Sequence, residues 1–482
     1  MPDSPKNKGA VLAATIGLFL GPLLLLLCVL TAPPAGLSQT AWLTVGMAAL
    51  MAVWWATEAI PIPATSLLPI LLVPVLGIDT LAKATAPYAN PTIFLFLGGF
   101  LLGLAMQRWN LHKRIALATL LAVGNQPKRQ IAGFMIATAF ISMWVSNTAT
   151  SIMMLPIGLS VIGLLVAGSV AREADRFATA LLLGIAYAAS VGGIATLIGT
   201  PPNALLAAFL RDSYDVHIGF GQWMLLGVPV SAGMLLFTWW WLTRGGFKLA
   251  GGDSRALLEK EMAELGPMSR AEKMVAVVFV LAALAWIIQP LLARHFDGVN
   301  DTSIAMAAAL GLFLLPVDLR QRVFLMDWET ANKVPWGVLL LFGGGLSLAG
   351  VIGASGLAQW IAQGLGGFGV LPLILMIGLV TLVITFLTEI TSNTATAAAF
   401  LPLLGALAVA QGLPPEMLAI PAAIAASCAF MMPVATPPNA IVFGTGRMRI
   451  QSMIRAGFAL NLFGVALVTL LCYGLVGWIW AS

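Results

Sequence analysis

The chain has 482 residues, 60% of them hydrophobic and only 9% charged, with a mean hydropathy of +0.97. This composition excludes a soluble globular domain and describes an all-α polytopic membrane protein. A net charge of +5 and a pI near 9.3 would suit nucleic acid, but the basic residues are distributed by loop and report membrane topology instead, so no nucleic-acid partner is expected.

Lys6 and Lys8 precede an apolar run, Val11 to Leu30, whose core is too long for a secretory signal and reads as an uncleaved first helix. Further spans are expected near Ala41 to Thr57, Ile60 to Ile78, Thr92 to Met106, Phe177 to Leu210, Gln222 to Leu242, Met274 to Leu292, Thr302 to Pro316, Pro335 to Leu365, Met417 to Gly446 and Phe458 to Trp480, giving eleven in all. Two more apolar stretches, Gln130 to Ala171 and Val370 to Gly412, carry Ser-Asn-Thr motifs near their middles and read as hairpins. The 16 residues from Gln130 to Val145 reach about 24 Å, short of a hydrocarbon core about 30 Å thick, so the tips are expected to be re-entrant. Arg244 to Lys273 is polar and reads as a connector, with Asp253-Ser254 capping an amphipathic surface helix.

With the N-terminus in the cytoplasm and the C-terminus outside, 21 of the 24 basic residues fall inside, leaving Lys83, Arg211 and Arg294 outside. Two full spans in place of each hairpin would preserve this parity, so the bias supports the topology and not the depth of the tips. The first hairpin then opens from the cytoplasm and the second from outside, which makes two inverted halves. Landmarks repeat at nearly constant offsets, 245 from Gly98 to Gly343, 246 from Ser146 to Ser392 and 236 from Thr200 to Thr436.

Each half pairs Ser-Asn-Thr-Ala-Thr, at Ser146 to Thr150 and Ser392 to Thr396, with Thr-Pro-Pro-Asn, at Thr200 to Asn203 and Thr436 to Asn439. The prolines remove two N–H donors and are expected to free carbonyls near Gly199, Thr200, Ala435 and Thr436. With the oxygens of Ser142, Ser146, Asn147, Thr388, Ser392 and Asn393 these can dehydrate a sodium ion, and two nearly equivalent cation sites follow. No Lys or Arg lies between Val334 and Gly446 or between Gln130 and Ala171. An anionic substrate must therefore rely on helix N-termini, hydroxyl and amide donors and the bound cations. That mutual dependence defines a symporter.

Cys28, Cys428 and Cys472 fall in apolar segments and read as small buried hydrophobes. Glu58 sits near a span end, in a structural or interfacial role. Glu389 either tunes the second cation site or accepts backbone donors at the hairpin tip. His112, His217 and His295 map to loops or their edges, which disfavours a proton relay or an intramembrane hydrolase. No catalytic residue is assigned.

Met143 to Thr150, Leu387 to Thr396, both Thr-Pro-Pro-Asn-Ala copies and Thr-Glu-Ala-Ile-Pro at Thr57 to Pro61 together resemble the divalent anion/sodium symporter family over nearly the whole chain. The resemblance implies two inverted repeats, a homodimer in the lipid bilayer, here of a bacterial inner membrane, and an elevator mechanism. Scaffold would comprise residues 1–128 and, with the linker helix, 244–369; the moving transport domain would comprise 129–243 and 370–482. One sodium site would use Ser142, Ser146, Asn147 and Gly199, the other Thr388, Thr391, Ser392, Asn393 and Ala435. Substrate carboxylates would meet Asn147-Thr148 and Asn393-Thr394, beside Ser146, Ser392, Thr200-Pro201 and Thr436-Pro437. The intact motifs favour succinate, malate and fumarate; the alternatives are a sodium-independent dicarboxylate exchanger or a symporter for citrate or sulfate.

Overall fold

A computed structural model describes residues 8–251, 254–365 and 371–480. Lys6, the capping Asp253 and Val370 lie outside the described residues. Among the described residues the fold is helical, with one two-stranded antiparallel pair, Pro316–Asp318 with Val323–Phe324. Nine helices there are long and apolar enough to cross a membrane. The helix Lys8–Leu30 presents Leu12, Phe19 and Leu23 outward, each at least 61% exposed. In water such a face would be costly, and in lipid it is the expected contact.

Both hairpins form. Pro127–Ser142 and Asn147–Leu165 make the first, Leu373–Leu387 and Asn393–Ala410 the second. Each is followed by an interrupted helix: Ala171–Ile194 then Pro201–Tyr214 in the first half, Glu416–Ala426 then Pro437–Phe443 in the second. Long helices Phe220–Thr243 and Ile450–Trp480 close the two halves and lie against each other, with Phe237 stacked on Phe463 at 4.0 Å.

The halves interlock. Pro201–Tyr214 packs on Asn393–Ala410, and Pro437–Phe443 packs on Asn147–Leu165, so the segment beyond each break abuts the other half's hairpin. Tyr187 donates to the Met453 carbonyl at 3.2 Å and packs edge-on against Phe430, tying the first interrupted helix to the closing helix and the break of the second half.

Several expected spans are subdivided. The stretch 60–78 contains two short helices, Ile62–Thr65 and Leu68–Val75, each with a proline in its first turn, where a missing N–H costs nothing. The run from Pro335 to Leu365 breaks after Ala354, where Gly356 takes a left-handed φ of +82° that ends a helix. The expected basic loop between Arg108 and Arg129 contains the amphipathic helix Leu111–Val123, which buries Leu111, Ala116, Leu117 and Leu120. The connector helix is Ser254–Glu264, joined to that element by a Lys113–Glu261 ion pair of 2.8 Å. Glu58 is exposed at the end of Gln39–Thr57, in a left-handed helix-terminating conformation.

Helices Pro91–Arg108 and Trp336–Ala354 pass close to the hairpin region. A Cβ on Gly103 would lie 2.8 Å from the Trp144 carbonyl, and one on Gly345 would meet Leu205 and Ala398. Gly98 and Gly344 instead face backbone of Ala305 and Ser66. Glycine on two faces lets these helices approach neighbours on both sides.

Candidate functional site

The two Ser-Asn-Thr segments sit at the N-termini of Asn147–Leu165 and Asn393–Ala410, with Ser146 and Ser392 as N-caps. Ser146 accepts from the Ala149 N–H at 3.3 Å, whereas the Ser392 hydroxyl makes no cap bond.

Ser142 Oγ lies 2.7 Å from Asn147 Oδ1 and 2.6 Å from the Ala189 carbonyl. One hydroxyl has one proton, so it can donate to only one of these oxygens at a time. A surplus of lone pairs converges there. A Cβ built on Gly193 would lie 2.9 Å from Asn147 Oδ1 and 2.8 Å from the Gly199 carbonyl, which brings that carbonyl into the same neighbourhood. The second half repeats the arrangement: Thr388 Oγ1 lies 2.8 Å from Asn393 Oδ1 and 2.9 Å from the Ala426 carbonyl. Oxygen-rich, proton-poor clusters suit a hard monovalent cation. Ser142 and Thr388 are fully buried, which keeps water from competing.

Thr391 lies one turn from these oxygens. Its hydroxyl lies 2.9 Å from the Leu387 carbonyl and 2.6 Å from the Thr396 hydroxyl. Ala435 N–H bonds the Met432 carbonyl, and among the described residues the Gly199 and Ala435 carbonyls accept no hydrogen bond.

The prolines act differently from the expectation. Pro201 and Pro437 are first residues of helices whose N-caps are Thr200 and Thr436, and the Thr200 and Thr436 carbonyls accept from Asn203 N–H and Ala440 N–H. Those two carbonyls are therefore not free. The interruption lies upstream, at 195–199 and 427–435, and an asparagine holds it in each half. Asn203 Nδ2 donates toward the carbonyls of Gly193 (3.3 Å) and Thr196 (2.9 Å). Asn439 Nδ2 does the same to Ala429 (3.2 Å) and Met432 (3.1 Å). Donor and both acceptors recur at a constant offset of 236. Gly199 fits tightly here, since a Cβ on it would lie 2.4 Å from the Gly193 carbonyl.

The halves differ at one point. Buried Glu389 accepts from the N–H groups of Phe430, Met431 and Met432 at 2.6 to 3.1 Å, and from Asn461 Nδ2 at 2.7 Å. Of the two roles the sequence left open, the geometry shows the backbone-accepting one, with donors on the interrupted helix rather than at the tip. The corresponding residue of the first half is Met143, whose carbonyl accepts from Thr196 at 2.6 Å. The Glu389 carboxylate takes donors that would otherwise be left unpaired by unwinding. The second helix accordingly ends at Ala426, four residues earlier in the repeat than Ile194.

Donors remain. Among the described residues, Asn147 Nδ2, Asn393 Nδ2 and the hydroxyls of Thr148 and Thr394 have no partner within the protein, and Thr200 Oγ1 reaches only Ser427 Oγ at 3.5 Å. They stand at helix N-termini, where the macrodipole favours negative charge. Pro437 is exposed and Pro201 partly so.

Ala189, Thr196, Asn203, Ala426, Asn439 and Asn461 support this site and were not singled out by sequence for such roles. The constant offset of the two Thr-Pro-Pro-Asn asparagines was the available signal. Cys28, Cys428 and Cys472 are buried and free.

Comparison with known proteins agrees with this architecture. The chain is 44% identical over 488 residues to the sodium-dependent dicarboxylate transporter SdcS of Staphylococcus saprophyticus, covering 98% of this chain and 93% of that protein. It is 43% identical over 484 residues to SdcS of Staphylococcus aureus strain USA300, covering 98% and 92%. Among solved structures it resembles the YdaH transporter of Alcanivorax borkumensis (TM-score 0.56, 15% identity, 92% of this chain and 99% of that one). It also resembles MtrF of Neisseria gonorrhoeae (TM-score 0.58, 15% identity, 95% and 94%), and at such identity both likenesses concern the fold alone. A family model described as the sodium:sulfate symporter transmembrane region matches residues 13–481, and the chain therefore belongs to that family, the divalent anion/sodium symporters.

Proposed function

We propose that this protein is a secondary transporter that carries a dicarboxylate across the membrane together with sodium. The observation that carries the reading is the paired oxygen cluster, Ser142–Asn147–Ala189 and Thr388–Asn393–Ala426, each next to unpartnered amide and hydroxyl donors. The names of the relatives support the same cargo.

Sodium is cargo and coupling ion. One ion is held by Ser142, Ser146, Asn147 and Gly199, the other by Thr388, Thr391, Ser392, Asn393 and Ala435. With each Oδ1 turned to a cation, each Nδ2 is left for a substrate carboxylate, alongside Thr148 and Thr394. Without the cations, a dianion in low dielectric would face partial positive charges only, so each ligand raises the other's affinity. The four-carbon acids succinate, malate and fumarate are the cargo the intact motifs favour.

Residues 129–243 and 370–482 form the moving part, sliding as an elevator against a scaffold of 1–128 and 244–369 in a homodimer. The halves are inverted, with the N-terminus in the cytoplasm of a bacterial inner membrane and the C-terminus outside. Close glycine contacts at Gly103 and Gly345 support a smooth boundary between the two parts.

Proteoliposomes without internal dicarboxylate are expected to accumulate labelled succinate under an inward sodium gradient, and Asn147→Ala or Asn393→Ala to abolish it. Uptake that needs internal dicarboxylate, whatever the sodium, would reassign the protein as an exchanger.

A further inference from the structure

A cavity of about 890 Å³ opens between the starts of Ala171–Ile194 and Ile450–Trp480 and the end of Phe220–Thr243. No hairpin-tip residue lines it. On Ala171–Ile194 the lining residue nearest the break is Leu183, about 9 Å along the axis from Ala189 of the first oxygen cluster.

Its wall carries Arg172, Arg176, Arg447 and Arg449 against one carboxylate, Asp175. Arg176 is held in place: Nη1 lies 2.7 Å from Glu173 Oε1, Nη2 donates to the Gly246 carbonyl at 3.2 Å, and the guanidinium lies over Phe247. Among the described residues the side chains of Arg447 and Arg449 have no hydrogen-bond or ion-pair partner, and Arg172 makes no ion pair within 4 Å but shares the field of Glu173, whose carboxylate is already bonded to Arg176. Four guanidiniums around one concave space outnumber the two carboxylates, Glu173 and Asp175, beside them, and an anion offsets the remaining repulsion. The helix Ala171–Ile194 has no side-chain N-cap, so its first N–H groups add donors at the same place. Planar, forked guanidinium donors match the oxygens of a phosphate.

The rim points to where the phosphate comes from. Trp241 and Leu242 form part of the wall, and Arg244 stacks 3.5 Å above the Trp241 ring, an arrangement typical of the headgroup layer. The basic-residue distribution puts this rim on the cytoplasmic side.

We propose that this cavity binds a phosphate-bearing anion, the headgroup phosphate of an anionic phospholipid being the source its Trp241–Leu242 rim suits. The phosphate lies among Arg172, Arg447 and Arg449, and an acyl chain leaves past Leu242 toward the lipid. Occupancy adds no step to transport.

The test uses full-length protein in detergent with saturating sodium and succinate, so that the transport site is already engaged. Melting temperature is followed while dioleoylphosphatidylglycerol, dioleoylphosphatidylcholine or inorganic phosphate is titrated. Phosphatidylglycerol is expected to raise it, and phosphatidylcholine not. Each Arg→Gln change should raise the half-saturating lipid concentration about fivefold, and Arg172→Gln/Arg447→Gln/Arg449→Gln together about a hundredfold. An equal rise with inorganic phosphate, lost in the same variant, supports the site with a free anion as its source. No rise with either, or an unchanged rise in the triple variant, overturns the proposal. Should the triple variant fail to fold, Arg449→Gln alone decides by the same criterion.

Discussion

Asn461 donates its side-chain amide to Glu389 at 2.7 Å across 72 positions, completing a ring of donors around a carboxylate buried among apolar helices. Glu389→Ala would orphan three backbone N–H groups at about 1–3 kcal/mol each, and no stable protein is expected. Glu389→Gln keeps one acceptor oxygen and removes the charge. It is expected to fold with a lowered melting temperature and to need about tenfold more sodium for half-maximal uptake. An unchanged sodium requirement would separate Glu389 from the proposed second cation site.

Thr388 and Ser142 orient the asparagines that follow them. Thr388→Ser keeps the hydroxyl and should transport normally. Thr388→Val keeps the shape and loses the oxygen, at about 1–3 kcal/mol, so the sodium affinity should fall about tenfold or more. Sodium titration of succinate uptake in the two variants measures the difference.

The interruption of each helix depends on asparagine more than on proline. Pro201→Ala replaces a first-turn residue and should cost less than about 1 kcal/mol of stability. Asn203→Ala strips donors from buried carbonyls and should cost several times more. Thermal melts of the two purified variants rank them, and a larger loss for Pro201→Ala would contradict this account of the break.

Gly103 leaves no room for a side chain, because its Cβ would press on the Trp144 carbonyl at 2.8 Å. Gly103→Ala is expected to lower the maximal uptake rate several-fold while leaving the sodium half-saturation unchanged. A changed sodium half-saturation with a normal rate would put Gly103 in the binding site instead of at a sliding boundary.

Away from the membrane interior, Glu272 meets Arg114 at 2.8 Å and closes a capping box with Ser269. Burial raises the Glu272 carboxyl, but the hydrogen bonds from Arg114 and Ser269 outweigh it, and the folded-state pKa lies below the ordinary carboxylate value. A lowered folded pKa means the pair stabilises fully above the unfolded value, and the contribution is lost as pH falls through the folded one. The melting temperature of wild type should therefore exceed that of Glu272→Gln at pH 7, and the gap should narrow on acidification toward pH 4.

The parts of this molecule legible in sequence are those written locally and twice. Hairpins and breaks announced themselves because apolar runs with polar residues at mid-depth have few other uses, and because both copies kept their spacing. Glu389 was left with two roles because its partners, Phe430 to Met432 and Asn461, are brought to it only by packing. The prolines of Thr200 to Asn203 and Thr436 to Asn439 were read as breaking an existing helix, whereas they begin a new one; composition alone does not say on which side of a proline the helix lies. Helix Leu111–Val123 was hidden because Lys113 and Arg114, which face the connector, made the segment look like a loop.

The proposed function has cation and dianion bind at one place and move together. Simultaneous measurement of labelled sodium and labelled succinate influx into proteoliposomes tests it most directly. Succinate is expected to stimulate sodium influx, removal of sodium to stop succinate influx, and Asn147→Ala and Asn393→Ala to lose both fluxes together. Succinate influx that persists unchanged without sodium, or sodium influx indifferent to succinate, would contradict it.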